Sequence, residues 1–376
     1  MGYERSEHLL RRALEVIPNG TQTFSKSRSS YPVGASPFYA KWGEGAYLVD
    51  VDGNRFLDFT NGLMAVILGY NDPHVTQAVR EQLEDGVLFT LPTELEIEVS
   101  EMLVDMIPCA EMVRFGKNGS DATTGAIRIA RAFTGRDRVA QCGYHGWHDW
   151  AQANKLRNLG VPQGVRDLTH TFQYNNLASL RRLFVERPYQ FAAVIIETMH
   201  GEWPDPGFLE ECRDLAHKNG AIFIMDEVVT GFRFAVGGAQ EYFGVTPDLA
   251  TFGKALSNGY PLSAVVGREE VMQTMSNVHY SYTNTSEALS LAAAKATLAK
   301  IKRENVPARL AQLGNRIPGH GHPAWRHLGI PEDQKPLFVA DMHKHGILTL
   351  GTANLTFAHT EEEVERLVEA VAPWQG

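Results

Sequence analysis

Residues 221–267 read AIFIMDEVVTGFRFAVGGAQEYFGVTPDLATFGKALSNGYPLSAVVG, and no other stretch restricts the fold of this chain as much. The run Ala221, Ile222, Phe223, Ile224 and Met225 is apolar without alternation, which is the pattern of a strand buried on both faces. It stops abruptly at two acids, Asp226 and Glu227. A second run, 249–252, stops at Gly253 and Lys254, and a third, 261–266, follows the turn Ser257-Asn258-Gly259. In an open α/β sheet, ligands sit beyond the carboxyl ends of the strands. Asp226 and Lys254 are therefore expected to face one crevice, an acid and an amine directed at one ligand.

That pair suits pyridoxal 5'-phosphate. A lysine amine can hold the aldehyde as a Schiff base, while a carboxylate keeps the pyridine nitrogen protonated so that the ring withdraws electrons. Apolar flanks desolvate the amine and lower its pKa. A purely structural ion pair at a strand end would use the same two residues. The words MDEVVTGFR and PDLATFGKALSNGYPLSAVVG resemble the signature of class III aminotransferases of fold type I, and within them the glutamate-1-semialdehyde aminomutase group. From about Ser6 onward nearly the whole chain follows the resemblance. It implies an α/β fold of the fold type I PLP-dependent transferases, with a mostly parallel, seven-stranded-type sheet in a large domain and a small α+β C-terminal domain. On that pattern, residues 1–45 form an N-terminal segment packing with the small domain and covering the active site. Residues 46–288 form the large cofactor-binding domain, and 289–376 an abridged small domain.

Charged residues are mixed along the whole chain. The 376 residues can bury a substantial core, and a net charge of -9 argues against non-specific binding of nucleic acid. The scattered Cys109, Cys142 and Cys212 lack metal-ligand spacing and fit a reduced compartment. No early apolar segment resembles a signal peptide, and no run is long enough to span a membrane. A soluble, cytoplasmic protein is expected, with no membrane or nucleic-acid partner.

The remaining site residues come in chain order. A helix over 6–16 is stopped by Pro18-Asn19-Gly20, and the polar stretch 21–30 that follows reads as a surface loop. By resemblance this stretch lies over the substrate pocket. Where aminomutases carry a carboxylate-gripping arginine it offers Lys26, with Arg28 two residues on; a lysine cannot form the bidentate fork. Asn118-Gly119-Ser120-Asp121, between a strand at 113–115 and a helix over 122–133, presents free amides and a helix dipole suited to a dianionic phosphate. Gly119 and Ser120 are the expected donors. The family's tyrosine-histidine-glycine word matches Tyr144, His145 and Gly146, which implies that Tyr144 stacks on the cofactor ring. The stretch 151–163 resembles the family's mobile lid. Glu197 ends a buried strand at 192–196 and matches a glutamate close to the catalytic lysine. Glu202 falls where aminomutases place an asparagine near the cofactor's phenolic oxygen. Val228 is expected on the ring face opposite Tyr144. Thr283 matches a threonine that crosses a dimer interface to the partner's phosphate, which implies a homodimer with active sites at the interface. No Asp or Cys nearby completes a plausible ligand set with His145 and His148, and His320, His322 and His327 read as solvated loop residues, so no metal is expected.

Three functions follow. The first is an aminotransferase in which Lys254, Asp226 and Glu197 are catalytic and Gly119, Ser120, Tyr144, His145, Asp226, Val228, Lys254 and Thr283 hold PLP. It would move an amino group from a donor, expected to be glutamate, to a carbonyl acceptor, possible contacts being Lys26, Arg28 and Glu202. The polar entrance at Thr23, Ser25 and Lys26 points to a keto-sugar. The second is the aminomutase, which exchanges amino and carbonyl positions on one molecule; Lys26, Glu202 and the stretch 285–288 depart from its pattern. The third is a catalytically silent binding protein of the same fold, against which the intact Lys254 and Asp226 speak.

Overall fold

The computed structural model describes residues 2–375. Its compact units break elsewhere than at 45/46 and 288/289. One unit spans His74–Asn305, and the other joins the residues up to Pro73 to those from Val306 onward. The helix Ala288–Glu304 stays with the sheet unit because one face of it, including Leu291, Ala294 and Leu298, is fully buried, and Lys295 bonds Glu98 at 2.6 Å.

The first unit is built on seven strands: β1 (Met112–Gly116), β2 (Arg138–Cys142), β3 (Thr169–Thr171), β4 (Phe191–Glu197), β5 (Ile222–Asp226), β6 (Leu249–Phe252) and β7 (Ser263–Gly267). Their order is β1-β7-β6-β5-β4-β2-β3, parallel except that β7 runs antiparallel to both neighbours. The unbroken apolar runs have the physical reason expected of them. Along β4, Ala193 and Ile195 enter a core with Ala122, Ala126 and Ile129 of helix α1 (Gly119–Thr134). Val194 and Ile196 enter a second core with Leu180 and Phe184 of α3 (Leu177–Glu186) and with Leu209 and Cys212 of α4 (Phe208–Lys218), the short helix α2 (Gln163–Leu168) lying between α1 and α3 in sequence. Both faces of the sheet are thus covered, and each fully buried aliphatic contributes about 1.5–3 kcal/mol. All three cysteines are buried and unpaired by disulfides. Among the described residues no helix is long and apolar enough to cross a membrane.

In the other unit, Ala40–Glu44, Tyr47–Asp50 and Arg55–Asp58 form an antiparallel meander, extended in parallel by Ile347–Leu348. Asp50 fixes the intervening turn by accepting the amides of Asp52 (2.9 Å) and Asn54 (2.8 Å) on Oδ1. The acid-rich start at Thr360 is a capping box, with Thr360 Oγ1 accepting the Glu363 amide at 3.2 Å and Glu363 Oε2 accepting the Thr360 amide at 2.8 Å. The histidine-crowded loop contains a strand the sequence hides, Trp325–His327, paired with Thr352–Asn354. Three residues are too few to show a period.

His343 gives this unit a pH dependence. It is fully buried, its Nδ1 lies 3.1 Å from the Ala35 carbonyl, and burial lowers its pKa from the ordinary 6.5 to about 4. Above the ordinary value the ring is neutral in folded and unfolded chains alike. As pH falls from 6.5 toward 4 the unfolded chain takes the proton first, so stability drops, by up to about 3 kcal/mol from this group. Urea midpoints at pH 7.5 and pH 5 should therefore converge more closely for His343→Leu than for the wild type.

Candidate functional site

Three neighbouring strand ends carry the groups singled out above. In register, Glu197 at the end of β4 stands beside Asp226 at the end of β5, and Asp226 stands beside Thr251 of β6. Lys254 follows directly after β6 and Gly253. Parallel pairing therefore brings the acids and the amine to one sheet edge.

Asp226 is 5% exposed and fully engaged. Its Oδ1 accepts the Val228 amide at 3.1 Å and the Thr251 hydroxyl at 3.2 Å, and its Oδ2 lies 2.7 Å from His145 Nδ1. His145 Nε2 is 3.1 Å from the Cys142 carbonyl, which can only accept, so Nε2 carries its hydrogen. The contact between Nδ1 and Oδ2 then requires one proton between ring and carboxyl. The carboxylate is held in one orientation from three sides.

Lys254 sits in the left-handed region at φ 46°, a conformation that costs a residue with a Cβ about 1–2 kcal/mol and that clusters at functional sites. No hydrogen bond engages its Nζ among the described residues. Burial lowers its pKa; Asp226 and Glu197 oppose that fall, and the buried Arg233 adds to it. An amine so placed gives up its proton more readily than an exposed lysine.

Glu197 Oε2 accepts the Tyr144 amide at 2.9 Å and contacts His200 Nδ1 at 2.6 Å, a pairing that raises the His200 pKa. The preceding Gly143 has φ 108°, and a Cβ there would lie 2.6 Å from Glu197 Oε2. Glycine lets the chain turn against the acid and leave Tyr144 56% exposed.

A phosphate cradle lies at the head of α1. Asp121 Oδ2 accepts the amides of Lys117 and Asn118, each at 2.9 Å, and Asn118 Oδ1 accepts the Asp121 amide at 3.2 Å. The acid is thereby turned back on the turn, and the amides of Gly119 and Ser120 keep no acceptor among the described residues. A 16-residue helix stands behind them, which is the arrangement an anion requires. The helix starts three residues earlier than the apolar period indicates, because Asn118 caps it. A Cβ on Gly119 would lie 2.9 Å from Val228 Cγ1, and one on Gly253 would lie 3.5 Å from the same atom. Val228 thus wedges between the phosphate turn and the strand end bearing Lys254. Open amides, an anchored carboxylate, an unbonded amine and a half-exposed tyrosine match the phosphate, ring nitrogen, aldehyde and face of PLP.

Glu202 lies on an exposed loop and Thr283 on an exposed turn of the same unit. Lys26 and Arg28 belong to the other unit, where Arg28 is exposed and Lys26 lines a cavity of about 340 Å³ with Tyr31, Phe38, Tyr39, Asp58 and Tyr70. The stretch 151–163 is tied down at several points: Gln152 Nε2 bonds the Gly146 carbonyl at 2.6 Å, Asn154 Nδ2 the Thr169 carbonyl at 2.5 Å and Lys155 Nζ the Gly143 carbonyl at 2.7 Å, and Arg166 bonds the carbonyls of Asn158 and Val161 at 2.9 and 3.0 Å. Thr251 and His200 were not legible as site residues. The former looks like one more strand residue, and the latter could have been found only from its three-residue spacing to Glu197.

Comparison with known proteins gives the family and the fold. The class-III aminotransferase family matches residues 30–320. The chain is 36% identical over 335 residues to 3-aminobutyryl-CoA aminotransferase of Cloacimonas acidaminovorans, covering 87% of this chain and 80% of that protein. It is 39% identical over 310 residues to glutamate-1-semialdehyde 2,1-aminomutase of Methanothermobacter thermautotrophicus, covering 78% and 73%. The crystal structure of an omega-transaminase from Sphaerobacter thermophilus superposes with a TM-score of 0.87 at 30% identity, over 98% of this chain and 97% of the other.

Proposed function

The chain belongs to the class-III aminotransferases, which are PLP-dependent enzymes of the fold type I α/β class, and from that premise we propose that it transfers an amino group from glutamate to a separate carbonyl acceptor. The observation that carries this reading is the placement at adjacent strand ends of an anchored carboxylate, Asp226, and an unbonded amine of lowered pKa, Lys254. PLP, when bound, supplies an aldehyde carbon and a protonated pyridine ring that together draw electrons from a substrate carbon. Lys254 Nζ would hold that aldehyde, and the same amine would accept and return the proton that is moved. Asp226, oriented by His145, Thr251 and the Val228 amide, keeps the ring nitrogen protonated. The Gly119 and Ser120 amides would bind the phosphate, Tyr144 and Val228 would take the two ring faces, and Glu197 orients the Tyr144 backbone. Thr283, on its exposed turn, is assigned to the phosphate of a second copy, and on that assignment the working unit is a homodimer; a cytoplasmic setting fits the three unpaired cysteines.

For the acceptor we infer a keto-sugar or similar polyhydroxylated carbonyl compound, on the polar residues Thr23, Ser25 and Lys26. The aminomutase reading remains the competing one, supported by the 39% identity to an enzyme of that name. Adding glutamate to the cofactor-loaded protein separates them. Conversion of the cofactor's absorbance to that of its amine form, with one equivalent of 2-oxoglutarate released, is the expected result. Absence of conversion together with rapid turnover of glutamate 1-semialdehyde would replace the proposal with the aminomutase.

A further inference from the structure

At the amino edge of the same sheet lies a second concave region, opposite the edge that carries Lys254 and Asp226. Arg138 opens β2, Arg166 precedes β3, and Arg187 follows α3 on the way to β4. Five strand residues at about 3.3 Å each separate Arg138 from the catalytic edge, or roughly 16 Å. The three arginines line a groove of about 640 Å³ together with one acid, Asp167, and with His170, Asn154 and Thr171. All three are half-buried rather than splayed into solvent.

Structural duties use only part of each guanidinium. Arg138 bonds Gln190 Oε1 (3.0 Å) through Nε and the Asp167 carbonyl (2.6 Å) through Nη1. Arg166 bonds two loop carbonyls through Nε and Nη2, and Arg187 bonds Glu186 through Nη1 at 2.7 Å. Nη2 of Arg138, Nη1 of Arg166, and Nε and Nη2 of Arg187 carry no further hydrogen bond among the described residues. The two nearby acids offset only part of this charge. Asp167 Oδ1 is taken by Gln163 at 2.7 Å, and Glu186 is shared between Arg187 and Arg182. His170 Nε2 lies 3.0 Å from Arg138 Nη1, so it accepts and the ring is neutral; Arg187 and Arg138, after burial, hold its pKa down. A chain of net charge -9 has thus collected three converging cations with spare donors in one recess. Like charges so placed repel unless an anion sits among them.

We propose that this groove is a binding site for a small phosphate-bearing anion, separate from the cofactor's phosphate cradle. Planar guanidinium forks approaching from three elements match the several oxygens of a phosphate or diphosphate, whereas one carboxylate is satisfied by a single fork.

The test uses the cofactor-saturated enzyme, whose phosphate cradle is occupied, at ionic strength fixed with chloride. Calorimetric titration with inorganic pyrophosphate should give one saturable site, weakened at least tenfold in R138Q/R187Q. R187Q alone, at a helix end and outside the sheet, should weaken it severalfold and guards against a misfolded double variant. A phosphate monoester should compete with pyrophosphate and succinate should not. Absence of saturable binding, equal binding by wild type and R187Q, or equal competition by succinate would each overturn the proposal.

Discussion

Lys254→Ala should lower the turnover number by roughly 10⁴-fold or more while leaving the urea midpoint unchanged or slightly raised. The two halves of this expectation come from different features of the same residue. Activity depends on an amine that no hydrogen bond engages and whose proton is loosened by burial and by Arg233. Stability gains nothing from it, because a desolvated amine without a hydrogen bond is a cost to the fold. The left-handed backbone is common to Lys and Ala, since both carry a Cβ, so φ 46° adds no difference. Borohydride should fix the cofactor to the wild type at this residue and not to the variant. Lys254→Arg decides between chemistry and charge: it keeps the cation but loses a deprotonable amine. A structural ion-pair role predicts an active arginine variant, and the proposed role predicts an inactive one. Small primary amines added to Lys254→Ala should restore part of the proton transfer.

Much of this site is legible in the sequence because parallel sheets make it so. Strands buried on both faces leave long apolar runs, and the first polar residue after each run marks the carboxyl edge; Glu197, Asp226 and Lys254 announce themselves in that way. What the sequence conceals is pairing. Nothing in the spacing of His145 and Asp226, eighty-one residues apart, says that their side chains meet at 2.7 Å, and Thr251 is invisible until β6 is set beside β5. The division of the chain is concealed for the same reason. Ala288–Glu304 reads as a way into another domain, yet its buried face holds it to the sheet unit. The strand at Trp325–His327 is hidden by brevity, since three residues cannot display a period.

Asp226→Asn should separate charge from geometry at the other end of the site. Oδ1 of the asparagine can still accept the Val228 amide and the Thr251 hydroxyl, which now reach Asp226 Oδ1 at 3.1 and 3.2 Å. Its amide nitrogen replaces Oδ2 and becomes a donor toward His145 Nδ1. The ring can accept that bond, because its Nε2 hydrogen is directed at the Cys142 carbonyl and Nδ1 needs none of its own. All four contacts therefore survive with neutral partners, and the urea midpoint should move by no more than about 1 kcal/mol equivalent. The negative charge does not survive, and a neutral amide cannot hold a proton on a pyridine nitrogen. The turnover number should fall by about two to four orders of magnitude, with KM for the amino donor changed far less, because the loss falls on charge that develops during proton transfer. Asp226→Ala should lose both activity and stability, since it leaves His145, Thr251 and the Val228 amide without their acceptor in a buried place. An asparagine variant within tenfold of wild-type turnover would mean that the carboxylate only props up the strand end, and the role given to this residue would have to be withdrawn.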